Sequence, residues 1–174
     1  MTIIQTHNPD FTPVYEGKTI LITGSVGTVG SELLKQIIEY HPKEIRLFDN
    51  SESGLHMQTC TYGNAVKILP ALGDIRDLGK LQSVMDGVDV VFHLAAYKHV
   101  FLCECNPFDS VRTNVIGTQN VLKAALVSRV GRVLYTSSDK AVNPTNVMGT
   151  SKLLAERVVT AANMQCSNGT GRKD

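Results

Sequence analysis

Two hydrophobic rhythms alternate along this chain. Short, nearly unbroken apolar runs are separated by longer stretches in which apolar residues return at helical spacing. The first run, residues 19–23 (TILIT), reads as a strand buried on both faces, because a strand with one wet face would alternate polar and apolar residues. A glycine-rich turn follows, and residues 31–40 (SELLKQIIEY) then carry the helical spacing. The rhythm predicts strand 44–49 (EIRLFD), helix 51–62, strand 66–72 interrupted or ended near Pro70, helix 77–85 and strand 88–94. It goes on with a long helix 107–128, strand 132–136 and a second long helix 147–162. Pro107 falls in a first helical turn, where its missing N–H does no harm.

Strands alternating with helices imply right-handed βαβ crossovers and a parallel sheet. The predicted fold is α/β, a doubly wound parallel sheet of Rossmann type with strand order 3-2-1-4-5. Residues 163–174 (NMQCSNGTGRKD) are polar and make no sixth strand, so the sheet is expected to be truncated before its last strands. The expected organisation is an N-terminal lead at 1–16, a nucleotide-binding domain at 17–164 and a polar tail at 165–174, with no substrate-covering domain after it.

Composition narrows the function classes. The chain is 43% hydrophobic and 19% charged, which is ordinary for a globular domain and rules out a disordered one. A net charge of +1 gives no electrostatic reason to expect nucleic acid or an anionic membrane as partner. No apolar run approaches the roughly 18 residues of a membrane span. The N-terminus, without a basic patch before an apolar stretch, does not read as a signal peptide. Cys60, Cys103, Cys105 and Cys166 form no disulfide-rich pattern, so a reduced, cytoplasmic compartment is expected. The Cys103/Cys105 pair lacks a second pair at metal-binding spacing, and no metal site is expected.

Candidate chemistry begins at the first turn, Thr23-Gly24-Ser25-Val26-Gly27-Thr28-Val29-Gly30. This T-G-x-x-G-x-x-G lies between a predicted strand and a predicted helix. Glycines there allow a tight turn and close approach to a pyrophosphate, and the helix N-terminus offers that anion free N–H groups. Asp49 ends the second strand at the spacing of roughly 20 residues at which an acidic side chain meets the adenosine ribose. It could instead cap the helix beginning at Ser51. Asn50, Ser51 and Glu52 supply no cation for a 2'-phosphate, so NAD is favoured over NADP. Asp74 and Ile75 follow the third strand, where the adenine is expected. Leu94 ends the fourth and is expected at the cofactor too; Ala95 and Ala96 follow it, where small residues let a cofactor lie against the backbone.

The turn after the fifth strand, SSDKAVNPTNVMGTSK from Ser137 to Lys152, sets Asp139 and Lys140 side by side. Carboxyl ends of strands face the ligand crevice in such sheets, so an acid and a base would stand there together. Four segments, GKTILITGSVGTVGSELLKQI, LAAYKHV, NPFDSVRTNVIGTQNV and SSDKAVNPTNVMGTSKLLAE, resemble the nucleotide-sugar 4,6-dehydratases of the polysaccharide-biosynthesis family, in the extended short-chain dehydrogenase/reductase superfamily. The resemblance runs from about residue 17 to 156.

That resemblance implies a redox-neutral cycle on UDP-N-acetylglucosamine, in some relatives with C5 epimerisation. The sugar is oxidised at C4, loses the C5 proton and the C6 hydroxyl, and is reduced at C6. By position Asp139 is the acid, Lys140 the base, and Ser138 the hydroxyl that holds the substrate O4. Lys152 is expected on the nicotinamide ribose. Met148 stands where the wider superfamily has a tyrosine, which leaves Asp139, Lys140 or a water as the first base. Lys98 is expected near cofactor or substrate phosphate, His99 and Asn143 on the substrate side, and Asn114 as a brace beside the cofactor. Related enzymes also imply a homo-oligomer formed by the two long helices. Two other readings share these residues: a nucleotide-sugar C4-epimerase or reductase, and a non-catalytic cofactor-binding fragment. With no half to grip the uridine diphosphate, the chain is expected to be inactive by itself.

Overall fold

The structure, a computed structural model, describes residues 11–169, with side chains to residue 165. Residues 1–10 of the lead, the side chain of Cys166 and residues 170–174 lie outside the described residues. Five parallel strands form one sheet: β1 (Thr19–Thr23), β2 (Glu44–Asp49), β3 (Ile68–Leu72), β4 (Val90–His93) and β5 (Arg132–Tyr135). Their order is β3-β2-β1-β4-β5, as the alternation of strand and helix predicts.

β1 lies between β2 and β4, and every one of its residues is buried. That position explains its unbroken apolar run. Successive side chains of a strand point to opposite faces. Accordingly Leu21 packs with Phe48, Val91, Leu81 and Val121 on one face, while Ile20 and Ile22 pack with Leu34, Ile45 and Leu47 on the other. Pro70 sits in β3 at the sheet edge, where a missing backbone donor is tolerated.

The helices depart from the sequence pattern in four places. A short helix α1 (Thr12–Tyr15) precedes the sheet, and α2 (Thr28–Ile38) begins three residues before the apolar periodicity, at the glycine turn itself. α3 (Glu52–Tyr62) and α4 (Leu78–Met85) follow the expectation, with Ser51 and Asp77 as side-chain N-caps. The helix expected over 107–128 is instead a composite. It is preceded by a separate α5 (Val100–Cys105) and comprises α6 (Pro107–Val111), a π-helical stretch at Arg112–Gly117, and α7 (Thr118–Val127). The wider turn has tertiary causes. Asn114 reaches across to the Tyr97 backbone, and Gly117 passes so close to Ile75 that an added Cβ would stand 2.6 Å from its Cδ1. The last helix, α8 (Val147–Gly169), continues beyond 162, so the first part of the expected polar tail is helical. No described helix is long and apolar enough to cross a membrane.

Candidate cofactor and active site

A cavity of about 430 Å³ opens at the carboxyl ends of β1 to β4. Its floor is the glycine turn. Gly24 has φ +70°, and a Cβ there would stand 2.7 Å from the Ala95 nitrogen, so the turn and the strand behind it touch through bare backbone. A Cβ on Gly30 would run into the Gly24 carbonyl. The next helix is built differently from its neighbours. α3 and α4 satisfy first-turn N–H groups with Ser51 Oγ and Asp77 Oδ1, whereas the N-cap of α2 is Gly27, with no side chain to accept. Its first turn, Thr28-Val29-Gly30, therefore offers uncapped N–H groups along the cavity wall.

Asp49 also faces this wall. Its Oδ2 accepts the Val26 N–H at 3.0 Å and its Oδ1 accepts the Ser51 N–H at 3.0 Å. The carboxylate thus ties the end of β2 to the glycine turn and orders the entry to α3, while Ser51 Oγ is the helix cap. Asp74 lines the cavity too, but Arg76 binds its carboxylate through Nε and Nη2. That side-chain hydrogen bonding, against the effect of burial, lowers the Asp74 pKa. Asn50, Ile75, Leu94, Ala95, Ala96 and Lys98 complete the part of the wall expected from sequence.

Five residues expected at the cofactor stand away from the wall, each held by another bond. Thr23 Oγ1 is 2.7 Å from His93 Nδ1. Ser25 is fully buried beneath the turn, its carbonyl accepting from Gln58 Nε2. Ser51 caps α3. Asn114 donates to Ser151 Oγ and to the Tyr97 carbonyl and accepts the Tyr97 N–H, bracing the loop after β4. Lys152 is buried and donates to the Thr136 carbonyl at 2.6 Å.

Sequence reasoning missed Val26, Phe48, Gly73, Tyr97 and Thr113 on the wall. Thr113 is the most informative of these, because its Oγ1 is buried without a hydrogen-bond partner. Its position beside Asn114 was a signal only if the π-helical turn was foreseen. A bare-backbone cradle, an uncapped helix N-terminus and an orphaned hydroxyl together fit an elongated ligand that carries a pyrophosphate.

The chemical cluster follows β5. Ser138 Oγ donates to Asp139 Oδ1 at 3.0 Å and accepts the Lys140 N–H at 3.2 Å, and Lys140 Nζ lies 3.4 Å from the same Oδ1. The Ser138 hydrogen bond first, and then the Lys140 charge, lower the Asp139 pKa, so the group is a carboxylate. Asp139 and Lys140 are exposed and accessible from solvent. The first turn of α8 lies against them, with Gly149 so close that a Cβ would meet the Lys140 carbonyl. Asn146 Oδ1 and Glu104 Oε1 accept the Gly149 and Val147 N–H groups at the start of α8. Met148 is buried in packing. Asn143 adopts φ 46° in the connecting loop, and His99 heads α5 without a side-chain cap.

Known proteins resemble this chain. The family described as "Polysaccharide biosynthesis protein" matches residues 20–172. The uncharacterized membrane protein MJ1061 of Methanocaldococcus jannaschii is 48% identical over 89% of this chain and 46% of its own length. The capsular polysaccharide biosynthesis protein CapD of Staphylococcus aureus is 40% identical over 84% of this chain and 25% of its own. A UDP-glucose 4-epimerase of Rickettsia canadensis is 40% identical over 90% of this chain and 47% of its own. Among solved structures, Pen from Bacillus thuringiensis superposes with a TM-score of 0.85 at 42% identity, covering 90% of this chain and 47% of that one. The dTDP-glucose 4,6-dehydratase DesIV of Streptomyces venezuelae, with NAD and TYD bound, gives 0.79 at 26% identity, covering 86% and 52%. The chain spans half or less of the length of most of these proteins. With the matched family covering nearly all of the described fold, the chain belongs to the polysaccharide biosynthesis protein family, within the extended short-chain dehydrogenases/reductases.

Proposed function

We propose that this protein is an NAD(P)-dependent nucleotide-sugar 4,6-dehydratase acting on UDP-N-acetylglucosamine, in the making of polysaccharide or glycan precursors. The observation that carries this reading is the Ser138-Asp139-Lys140 cluster at the carboxyl end of β5, on the same edge of the sheet as the glycine cradle. An NAD-bound 4,6-dehydratase among the structural neighbours supports it. Gly24, Gly27, Gly30 and the first turn of α2 would hold the pyrophosphate, with Asp49 at the ribose and Thr113 and Lys98 along the wall. NAD is favoured over NADP because Asp49 brings negative charge to the ribose position and residues 50–52 bring no cation.

When bound, the nicotinamide supplies a hydride acceptor that later returns what it took. The rest is proton movement by this chain. Asp139 starts as a carboxylate, and Ser138 Oγ is hydrogen-bonded to it. A C4 hydroxyl resting on Ser138 can pass its proton along that bond to Asp139. Asp139 is then the acid for the departing C6 hydroxyl. Lys140 acts as base in its free-amine form, its ammonium proton having gone to solvent; it then takes the C5 proton and returns it to C5 when C6 is reduced.

A second reading, a nucleotide-sugar C4-epimerase, is favoured by the 40% identity to the Rickettsia canadensis UDP-glucose 4-epimerase. Product mass separates the two. After incubation of the chain, joined to the C-terminal half of a full-length relative, with NAD+ and UDP-N-acetylglucosamine, dehydration gives a nucleotide sugar lighter by one water, and epimerisation leaves the mass unchanged. Product of unchanged mass would overturn the dehydratase reading.

A further inference from the structure

Lys152 is a buried cation without a carboxylate partner among the described residues. It is 6% exposed, no ion pair reaches it, and its Nζ donates to the Thr136 carbonyl. An ammonium so placed needs some other source of negative potential. The Tyr135 ring provides it, with Nζ 4.4 Å from the ring centroid. We propose that Tyr135 is a positioning residue for Lys152, whose ring face, together with the Thr136 carbonyl, pins the ammonium at the carboxyl end of β5. Its consequence for NAD+ affinity rests on the reading of Lys152 as a cofactor-contacting residue.

The phenol itself explains little of this arrangement. The Tyr135 hydroxyl is buried without a hydrogen-bond partner, so it does not anchor the ring. The ring is held by packing on His93, with centroids 5.7 Å apart, and by the ammonium over its face. The contribution to Lys152 therefore comes from the aromatic face and not from the oxygen. The ionisable groups around Lys152 are few. His93 faces it from β4, Tyr135 from β5 and Glu156 from its own helix. The nearby Asn114 and Ser151, which bond to each other, carry no charge. His93 is neutral, with both ring nitrogens bonded to threonine hydroxyls. Burial pulls the Lys152 pKa down to about 8, with Glu156 opposing. A ring face attracts the ammonium and not the neutral amine, so it acts in the same direction as Glu156.

The test reads Lys152 directly. In isotopically labelled chain, the Lys152 Cε–Hε resonance is assigned by its loss in Lys152→Arg and followed from neutral to alkaline pH. Tyr135→Phe keeps the aromatic face and should titrate with the parent. Tyr135→Leu removes it and should lower the midpoint by roughly half to one pH unit. Tyr135→Met fills the space with a flexible side chain and gives the same reading if the leucine variant does not fold. NAD+ affinity, measured by calorimetry, should drop about three- to tenfold in the Leu or Met variant and stay level in the Phe variant. A Leu or Met variant that titrates with the parent, or a Phe variant that shifts as far as they do, overturns the proposal. Lys152→Ala supplies a separate arm. If it binds NAD+ as tightly as the parent, the cofactor reading of Lys152 fails, while the titration still decides whether Tyr135 holds the ammonium.

Discussion

Asp49 Oδ2 accepts the backbone N–H of Val26 at 3.0 Å, so the end of β2 and the glycine turn after β1 are one hydrogen-bonded unit. In the proposed function the same carboxylate meets a ribose, and its second oxygen already orders the Ser51 N–H. Asp49→Ala is therefore expected to weaken NAD+ binding by roughly tenfold to a hundredfold, the loss of one charge-assisted bond together with a looser turn. Asp49→Asn should lose less for NAD+ and narrow the gap between NAD+ and NADP+, because a 2'-phosphate no longer meets a negative charge. Calorimetry with both cofactors checks this, and an unchanged ratio in the Asn variant would count against Asp49 at the ribose.

Gly24 and Gly87 form a matched pair for the cradle. Both have positive φ, +70° and +68°, but a Cβ on Gly24 would stand 2.7 Å from the Ala95 nitrogen and one on Gly87 would meet nothing within 4 Å. Alanine at 87 should cost only the backbone strain of about 1–2 kcal/mol. Alanine at 24 adds overlap with Ala95, for a total of about 2–5 kcal/mol, and should abolish cofactor binding. Urea unfolding of the two variants makes the comparison, and equal losses would show that the close approach is unimportant.

His93 should leave a signature in the acid stability of the chain. The Thr118 hydroxyl donates to the Asn114 carbonyl, so it accepts from His93 Nε2, and Nδ1 in turn accepts from Thr23. The imidazole is thereby fixed neutral, and burial lowers its pKa from 6.5 to about 3. Between those values the unfolded chain binds one proton more than the folded one. Stability is thus complete above 6.5 and is lost as pH falls toward 3, by up to about 1.4 kcal/mol per pH unit. His93→Asn should be less stable at neutral pH and should lack this part of the slope. Denaturant midpoints across that pH range give the comparison, and parallel slopes in parent and variant would refute the assignment.

Self-association through the long helices is the fourth expectation. Val121 and Leu122 are committed to the interior, but Ile116, Leu126, Val127 and Leu154 remain exposed on the π-helical stretch, α7 and α8. Exposed apolar side chains gathered on neighbouring helices favour burial against a second copy. Light scattering on concentrated chain should report a dimer or larger species, and Leu154→Glu or Val127→Glu should shift it toward monomer. A parent chain that stays monomeric would refute the expectation.

Local pattern was sufficient for the sheet and for the cradle. β1 sits between two partners, so both its faces must be apolar, and TILIT records that directly. The order β3-β2-β1-β4-β5 follows once each strand is joined to the next by a right-handed helical crossover. Gly24, Gly30 and Asp49 could be placed because turn geometry and strand ends are short-range properties of the chain. Other features depended on contacts between residues far apart in sequence. The π-helical turn arises where Asn114 bonds Tyr97 and Ser151 and where Gly117 meets Ile75, contacts that no helical period contains. That turn carries Thr113 to the cavity wall, while Ser25, inside the recognised motif, is buried beneath the turn. Lys152 was legible as a lysine one turn into a helix, but its resting place on Tyr135 and the Thr136 carbonyl was not. A residue's spacing tells which side of its own element it occupies. What it touches there depends on how α8 packs beside β5, and that is settled only when the whole core closes.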